Sequence, residues 1–263
     1  MRVPNTGINP WNRALVTGAS SGIGRDMCKI LSAQGTDLII VARRQDRLEE
    51  LAAQLETDVE ILVADLTKQS DIEAVAKRLQ DESKPVDLLI NNAGLGNFGT
   101  FTDLDLDAEK TVIQVNVDAL HTLCHVAANT MKERKHGWIL NVSSISGFAP
   151  YPRSATYGGT KAFVLNFSEA LQAELSKDGV VVSALCPGPT RTEFQSNAKV
   201  DLGVLPDFLI TESLEVAAIG LSDLAKKKAV SVPGTSMKAT RVIIKLLPGS
   251  AIRKISDYIS SKR

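Results

Sequence analysis

The chain has little of what marks secreted, membrane-spanning or nucleic-acid-coating proteins. Its 263 residues include only three cysteines, Cys28, Cys124 and Cys186, which fit neither a disulfide framework nor a zinc ribbon. No stretch approaches the ~20 apolar residues of a membrane span, and residues 1–13 lack a signal-peptide run. Thirty basic residues balance thirty acidic ones, which argues against coating of nucleic acid. We therefore expect a cytoplasmic protein.

What the chain does contain is an alternation of β-type runs with helical patterns. The runs predict strands at about residues 13–17, 37–42, 59–64, 86–91, 138–142, 180–186 and 229–232. Two of them, Leu38–Val41 and Val180–Leu185, are apolar at consecutive positions, as in strands covered on both faces. The pattern predicts an α/β fold: a single Rossmann-like, doubly wound parallel sheet of about seven strands with helices on both faces. Because no linker is visible, we expect one domain over residues 1–263.

A glycine-rich turn follows the first predicted strand and opens a helix, with the spacing Gly-x-x-x-Gly-x-Gly. Gly18 permits the tight turn, Gly22 lets the backbone approach a pyrophosphate, and Gly24 lets the helix pack on the strand. The helix N–H groups then point at the anion. The turn therefore predicts a dinucleotide site, to which Ser20, Ser21 and Ile23 also belong.

The charged residues after the second and third predicted strands indicate which dinucleotide binds. An NAD site would place a carboxylate after the second strand, but the chain has Arg43 and Arg44 there. Because arginine pairs with phosphate, Arg43 should favour NADP(H), with help from Arg44; the alternative is that both are solvated surface residues. After the third strand, Asp65 and Leu66 either cap a turn or meet the adenine edge.

Three side chains are candidates for acid–base chemistry. Tyr157 and Lys161 are four residues apart at the start of a long helical pattern and so share one face. A cation about 4 Å from a phenol contributes up to about 4 kcal/mol at an effective dielectric of about 20, so Lys161 is predicted to lower the pKa of Tyr157. Ser144 ends the preceding strand and can polarise a carbonyl oxygen.

The order of these motifs resembles the short-chain dehydrogenase/reductase family, and its NADP(H)-preferring subgroup in particular. The landmarks are the turn at 17–24, Asn91 to Gly94, Asn116, Ser144, Tyr157 with Lys161, and Pro187 with Gly188. They occur in register over about 175 residues, so the resemblance covers nearly the whole chain.

The resemblance implies a role for each catalytic position. Tyr157 would be the acid that protonates the developing alkoxide, and Lys161 would hold the nicotinamide ribose and lower the Tyr157 pKa. Ser144, rather than Ser143, would orient the carbonyl. Asn116 would hold a helix distortion and a water of the proton relay.

The resemblance also implies cofactor contacts and assembly. Asn92, Ala93 and Gly94 would form a structural and adenine-side element. Pro187, Gly188 and Thr192 resemble the segment that meets the nicotinamide carboxamide. Members of the family form homodimers or homotetramers.

Residues 187–215 are predicted to be a substrate lid. This segment carries more apolar residues than a solvated connector needs, among them Phe194, Leu202, Val204, Leu205, Phe208, Leu209 and Ile210. They suggest a hydrophobic carbonyl substrate such as a 3-oxoacyl thioester, a steroid or a lipid-derived ketone. The alternative is that they only pack the lid onto the sheet.

Residues 236–263 form a basic C-terminal extension. It carries seven basic residues against one acidic residue, a net charge of +6, so the rest of the chain carries −6. Apolar residues at helical spacing predict two amphipathic segments broken at Pro248–Gly249. Such segments can lie on an anionic membrane, as a peripheral contact, but packing on the acidic body or on a second subunit is the favoured interpretation.

Rival functions fit the sequence less well. A non-enzymatic NADP(H)-binding regulator or scaffold would not need Asn116, Ser144, Tyr157 and Lys161 together. His121 and His125 lie four apart on a helix, but no acidic third ligand accompanies them, so no metal site is predicted.

Overall fold

Seven parallel strands form the central sheet in the computed structural model, which describes residues 9–197, 203 and 206–260. The strands are β1 (Arg13–Thr17), β2 (Asp37–Ala42), β3 (Val59–Val63), β4 (Leu88–Asn91), β5 (Gly137–Val142), β6 (Val180–Leu185) and β9 (Val230–Ser231). Their order is β3-β2-β1-β4-β5-β6-β9. A separate parallel pair joins β7 (Thr190–Arg191) to β8 (Thr211–Glu212).

Helices cover both faces of this sheet. Their bounds are α1 (Gly22–Ala33), α2 (Gln45–Ala52), α3 (Gln69–Leu79), α4 (Leu106–Ile113), α5 (Leu120–Glu133), α6 (Ala155–Leu175), α7 (Glu193–Asn197), α8 (Ser213–Ala225), α9 (Thr235–Leu246) and α10 (Gly249–Ser260). One buried cluster joins the sheet to α1, α2 and α8, and a second joins it to α3, α5 and α6. The doubly wound architecture is therefore confirmed.

The apolar residues of β1 are consecutive because both faces of the strand are covered. Ala14 and Val16 belong to the cluster that contains α1, whereas Leu15 belongs to the cluster on the opposite face. Successive side chains of a strand point to opposite faces, so a strand that is covered twice needs apolar residues at every position. The predicted strands match the sheet to within two residues at each end. The β7–β8 pair was not predicted.

The strand order places a crevice beside β1. The chain runs outward from β1 through β2 and β3 on one side and through β4, β5 and β6 on the other. In a doubly wound sheet such a reversal opens a crevice at the carboxyl ends of the strands, where ligands bind.

The C-terminal extension forms the two helices predicted from its spacing, α9 and α10, with Pro248 between them. Helix α9 packs on the body: Met237 is buried, and the Arg241 guanidinium lies 5.1 Å from the centroid of the Phe148 ring. Within the described ranges, no helix combines the length and the apolar character needed to cross a membrane.

Candidate active site

A cavity of about 1170 Å³ occupies the carboxyl-end crevice. Its walls come from the glycine turn, the ends of β2, β4 and β5, the start of α6, the lid segment, and α9 with α10. Every predicted site residue except Gly24 and Asn116 lines this cavity. The tertiary structure therefore brings together residues that are separated by up to 174 positions, from Gly18 to Thr192.

Two glycines of the turn lie where a Cβ atom would collide with neighbouring atoms. Gly22 has φ +54°, in the left-handed region that favours glycine, and a Cβ there would lie 2.9 Å from Cγ2 of Thr192. A Cβ on Gly24 would lie 2.6 Å from the Gly18 carbonyl oxygen and would also meet the Asn92 amide. Gly24 thus allows the close approach of the helix to the turn and to Asn92, and it does not line the cavity.

Asn92 and Thr17 brace the same turn. The Asn92 amide donates to the carbonyl oxygens of Thr17 (3.0 Å) and Gly18 (3.2 Å). In return, Oγ1 of Thr17 accepts from the backbone N–H groups of Asn92 (3.0 Å) and Ala93 (3.1 Å). The segment after β4 therefore has a structural role, whereas its adenine contact stays a prediction.

The N-terminus of α1 fits a pyrophosphate. Ser21 is the N-cap residue but makes no side-chain capping bond, and the first turn contains no acidic residue. The positive end of the helix dipole therefore lies at the cavity, between Ser20 and Ile23, with no acidic residue in the first turn of the helix itself.

The two arginines after β2 differ in their surroundings. Arg43 is exposed and makes no ion pair with the described part of the chain. Arg44, by contrast, donates to Oγ of Ser20 at 3.1 Å and to the carboxylate of Glu193 at 2.9 Å. Arg43 is therefore the cation that an incoming phosphate meets without a competing carboxylate.

Asp65 caps the turn after β3, one of its two predicted roles. Its Oδ1 accepts from the Thr67 backbone N–H at 3.1 Å and from the Thr67 hydroxyl at 2.9 Å. Asp65 and Leu66 also line the cavity, so an adenine contact stays a prediction.

Tyr157 stands between two aromatic rings. The Phe98 and Phe194 rings lie 5.7 and 5.6 Å from its ring, centroid to centroid. Burial among these neighbours raises the pKa of Tyr157 to about 12, although a hydrogen bond with Ser144 acts in the opposite direction. The predicted lowering of this pKa by Lys161 is wrong for this structure, because desolvation exceeds every opposing effect.

The Lys161 ammonium is hydrogen-bonded to the backbone beside Tyr157. Its ammonium donates to the Val142 carbonyl oxygen at 2.9 Å and lies 5.7 Å from the centroid of the Tyr157 ring. Only 5% of the residue is exposed, and burial lowers the pKa of Lys161 to about 8.

The two serines after β5 have different hydrogen-bond partners. Oγ of Ser143 donates to the Lys161 carbonyl oxygen at 2.7 Å, which ties β5 to α6. The Ser144 hydroxyl accepts from the Ser146 backbone N–H at 3.2 Å and meets Tyr157 in the cavity. Both serines line the cavity, but the Ser143 hydroxyl is taken up by the backbone, so the role of Ser144 in holding a substrate oxygen stays a prediction.

Asn116 lies behind the cavity wall. It is buried in a π-helical turn, Gln114–Ala119, which is the predicted distortion between α4 and α5. Its side chain accepts from the Leu95 N–H (2.8 Å) and donates to the Leu95 carbonyl (2.9 Å) and to the Thr160 hydroxyl (3.0 Å). In this structure Asn116 is a positioning residue that joins the loop after β4 to α6.

The segment after β6 is held by local contacts. The Pro187 carbonyl accepts from the Ile145 N–H at 2.9 Å, and a Cβ on Gly188 would lie 2.5 Å from the Met237 sulfur. The Thr192 hydroxyl lies 2.6 Å from Oε1 of Gln195, in the first turn of α7. All three predicted residues of this segment line the cavity.

Only some of the apolar residues of the predicted lid line the cavity. Phe194 and Leu209 line it, whereas Phe208 is 77% exposed and does not. Leu202, Val204 and Leu205 lie outside the described residues.

Sequence reasoning missed one whole wall of the cavity. The cavity that Tyr157 lines is also lined by apolar residues of the two C-terminal helices. They are Met237, Ile243 and Ile244 of α9, Leu247 at its C-terminal boundary, and Ile252 and Ile255 of α10. The spacing of these residues predicted amphipathic helices, but not the surface on which the apolar face lies. Phe98 was missed as well, because nothing local marks a loop aromatic as a neighbour of Tyr157.

The two histidines of α5, His121 and His125, lie beside an aromatic ring and a side-chain amide. The His121 ring lies 5.6 Å from the Phe167 ring, and Nδ1 of His125 lies 3.4 Å from the Asn129 amide.

Comparison with known proteins agrees with this geometry. A family model described as short chain dehydrogenase matches residues 12–202. An uncharacterized oxidoreductase of Staphylococcus epidermidis is 38% identical over 180 residues, which are 68% of this chain and 78% of the relative.

Two solved structures are similar over most of their length. A short-chain dehydrogenase from Sphingobium yanoikuyae, in complex with NADPH, has a TM-score of 0.81 and 34% identity, covering 90% of this chain and 96% of that one. The bulky-bulky ketone specific alcohol dehydrogenase from Comamonas testosteroni has a TM-score of 0.77 and 30% identity, covering 90% and 95%.

Proposed function

The chain belongs to the short-chain dehydrogenase/reductase family of oxidoreductases, and we propose that it uses NADP(H) to interconvert a hydrophobic ketone and its secondary alcohol. The observation that carries the proposal is the meeting of the Ser144 and Tyr157 hydroxyls beside buried Lys161, in one cavity with the glycine turn. We assign residues 1–263 to one catalytic domain, with 187–215 as its lid.

The proposed preference for NADP(H) rests on charge. Arg43 lines the cavity, is exposed, and has no carboxylate partner among the described residues. A charge-assisted bond to a 2′-phosphate contributes roughly 1.5–3 kcal/mol. The NADPH complex of the Sphingobium yanoikuyae relative is consistent with this preference.

Each catalytic side chain has one proposed task. The chemistry that a bound nicotinamide supplies is hydride transfer to the carbonyl carbon. Ser144 holds the carbonyl oxygen, and Tyr157 gives that oxygen its phenolic proton as negative charge develops there. The raised pKa of Tyr157 keeps the phenol protonated at neutral pH, as an acid requires. Lys161 supplies positive charge beside the tyrosinate that forms.

The pH dependence of ketone reduction should report Lys161. Its pKa of about 8 means that the ammonium loses its charge as pH rises through that value. The tyrosinate that forms on proton transfer then loses its stabilising cation, so we expect kcat/KM to fall above about pH 8. Steady-state kinetics between pH 6 and 10 would check this. In Lys161→Arg the cation persists, so the decline should move to higher pH; the same decline in both proteins would contradict the assignment.

The proposed substrate class rests on the outer wall of the cavity. Ile244 and Ile252 come from the C-terminal helices, and Leu209 comes from the lid. Together with Phe98 and Phe194 they make the space next to Tyr157 largely apolar. The similar ketone-specific alcohol dehydrogenase from Comamonas testosteroni supports a bulky ketone. A 3-oxoacyl thioester, a steroid and a lipid-derived ketone all fit this description.

A substrate panel tests this class. With NADPH in excess, we expect long-chain and bulky ketones to be reduced with higher kcat/KM than small sugars. Ile244→Asp should raise KM for the preferred ketone by about tenfold or more, because it places a carboxylate in the apolar wall. Ala239→Asp is the matched control, since Ala239 lies five residues away in α9, is exposed and does not line the cavity. Preference for sugars, or equal effects of the two variants, would contradict the proposal.

The other face of α9 is proposed as a partner surface. Val242 and Leu246 are exposed there, close to Lys238. Apolar and basic side chains together fit a second subunit of a homo-oligomer and also an anionic membrane surface. Salt-sensitive binding to anionic liposomes that is lost on truncation after Pro233 would identify the membrane. A native mass that falls on truncation would identify the subunit contact.

A further inference from the structure

One guanidinium joins three parts of the active-site rim. Arg44 follows β2, donates to the hydroxyl of Ser20 in the glycine turn, and pairs with Glu193 at the first position of α7. The distances are 3.1 Å to Ser20 and 2.9 Å to Glu193. The Arg44–Glu193 pair therefore connects the residues after β2, on the proposed cofactor side, to the start of α7 in the lid segment.

The pair lies where the proposed 2′-phosphate would bind. Arg43 and Arg44 both line the cavity, but only Arg44 shares its charge with a carboxylate in the described chain. A phosphate monoester carries about −1.5 to −2 charges at pH 7 and competes with a carboxylate for the same guanidinium. A ribose 2′-hydroxyl brings no such charge.

We propose that Glu193 is a specificity-determining residue, whose carboxylate competes with an adenosine 2′-phosphate for Arg44. This inference rests on the proposed NADP(H) function and deepens it. In the absence of the 2′-phosphate, Glu193 holds the start of α7 against the glycine turn. When a 2′-phosphate takes Arg44, the first turn of α7 loses that attachment.

The attachment also reaches the substrate side. Phe194, the next residue of α7, lies 5.6 Å from the Tyr157 ring, and Thr192, the preceding residue, lies against Gly22. A change at Glu193 is therefore transmitted to the wall beside Tyr157. Both partners of the ion pair are about 40% exposed, at 42% and 40%, so its effect on affinity is modest, about two- to fivefold.

Calorimetric titration with the adenosine half of the cofactor tests the competition without turnover. The probes are 2′,5′-ADP, which carries the phosphate, and 5′-ADP, which does not. We expect Glu193→Gln to bind 2′,5′-ADP about two- to fivefold more tightly than the unmodified protein and to bind 5′-ADP equally well. Glu212→Gln is the control, because Glu212 pairs with Arg191 at 3.0 Å and the substitution makes the same charge change.

Hydrogen exchange of the peptide over residues 190–197 tests the release of α7. In the unmodified protein, saturating 2′,5′-ADP should speed exchange there relative to saturating 5′-ADP; in Glu193→Gln, exchange should be equally fast with both. Unchanged 2′,5′-ADP affinity in Glu193→Gln, or exchange that ignores the 2′-phosphate, overturns the inference. Failure of the unmodified protein to prefer 2′,5′-ADP over 5′-ADP would instead overturn the proposed NADP(H) preference, so the two failures are distinguishable.

Discussion

Tyr157→Phe lowers kcat for ketone reduction by a factor of about 10²–10⁴, the usual contribution of a positioned general acid. The substitution removes only the hydroxyl and leaves the ring that packs between Phe98 and Phe194. The cavity wall therefore survives while the proton donor is lost. The measurement is single-turnover reduction of the best ketone of the panel, with NADPH saturating.

Two controls separate chemistry from folding and binding in this variant. Thermal unfolding should be nearly unchanged, because the phenyl ring keeps its neighbours. NADPH affinity, measured by fluorescence titration, should change by less than about threefold. Full turnover in Tyr157→Phe would contradict the mechanism. A chain that binds NADPH but reduces no member of the panel would favour a regulatory or scaffold role.

Arg43→Gln lowers kcat/KM for NADPH by about ten- to a hundredfold and leaves kcat/KM for NADH nearly unchanged. The loss corresponds to one charge-assisted bond to phosphate of roughly 1.5–3 kcal/mol. Arg43 is exposed and has no ion-pair partner among the described residues, so its replacement leaves no protein group unsatisfied. The stability of the fold should therefore change by less than about 0.5 kcal/mol.

Arg47→Gln is the matched control for this experiment. Arg47 lies four residues after Arg43, in α2, does not line the cavity, and within the described chain its ion pair is a long contact with Glu50, at 3.9 Å. The two variants make the same charge change within four residues of each other. An equal loss of NADPH selectivity in both would mean that the general field of the region, and not a contact of Arg43, sets the preference. High salt should weaken the contact of Arg43 as well.

Much of the fold was predictable because it depends on local information. Strands such as β6 are apolar at every position, and this pattern persists whatever packs against them. The glycine turn was predictable for a similar reason, since Gly22 must adopt a positive φ wherever the turn is made. The spacing of Tyr157 and Lys161 fixes their common helix face.

The electrostatics of the site were not predictable in the same way. Spacing placed Lys161 near Tyr157 and predicted a lowered phenol pKa, but the ammonium donates to Val142 and burial raises that pKa. Desolvation depends on every neighbour within several ångströms, and Phe98 and Phe194 are 59 and 37 residues distant in the chain. No local pattern contains that information.

By itself the sequence determined the parallel sheet, the glycine turn, the common helix face of Tyr157 and Lys161, and the two C-terminal helices. The tertiary structure alone decided what the helices cover: Ile244 and Ile252 form the cavity wall. It alone decided that Asn116 hydrogen-bonds to Leu95 without lining the cavity, and that Arg44 forms an ion pair with Glu193. The physical reason is the distance along the chain over which each feature is set. Turns and helix faces depend on residues close in sequence, whereas burial and ion pairing depend on residues that are close only in space.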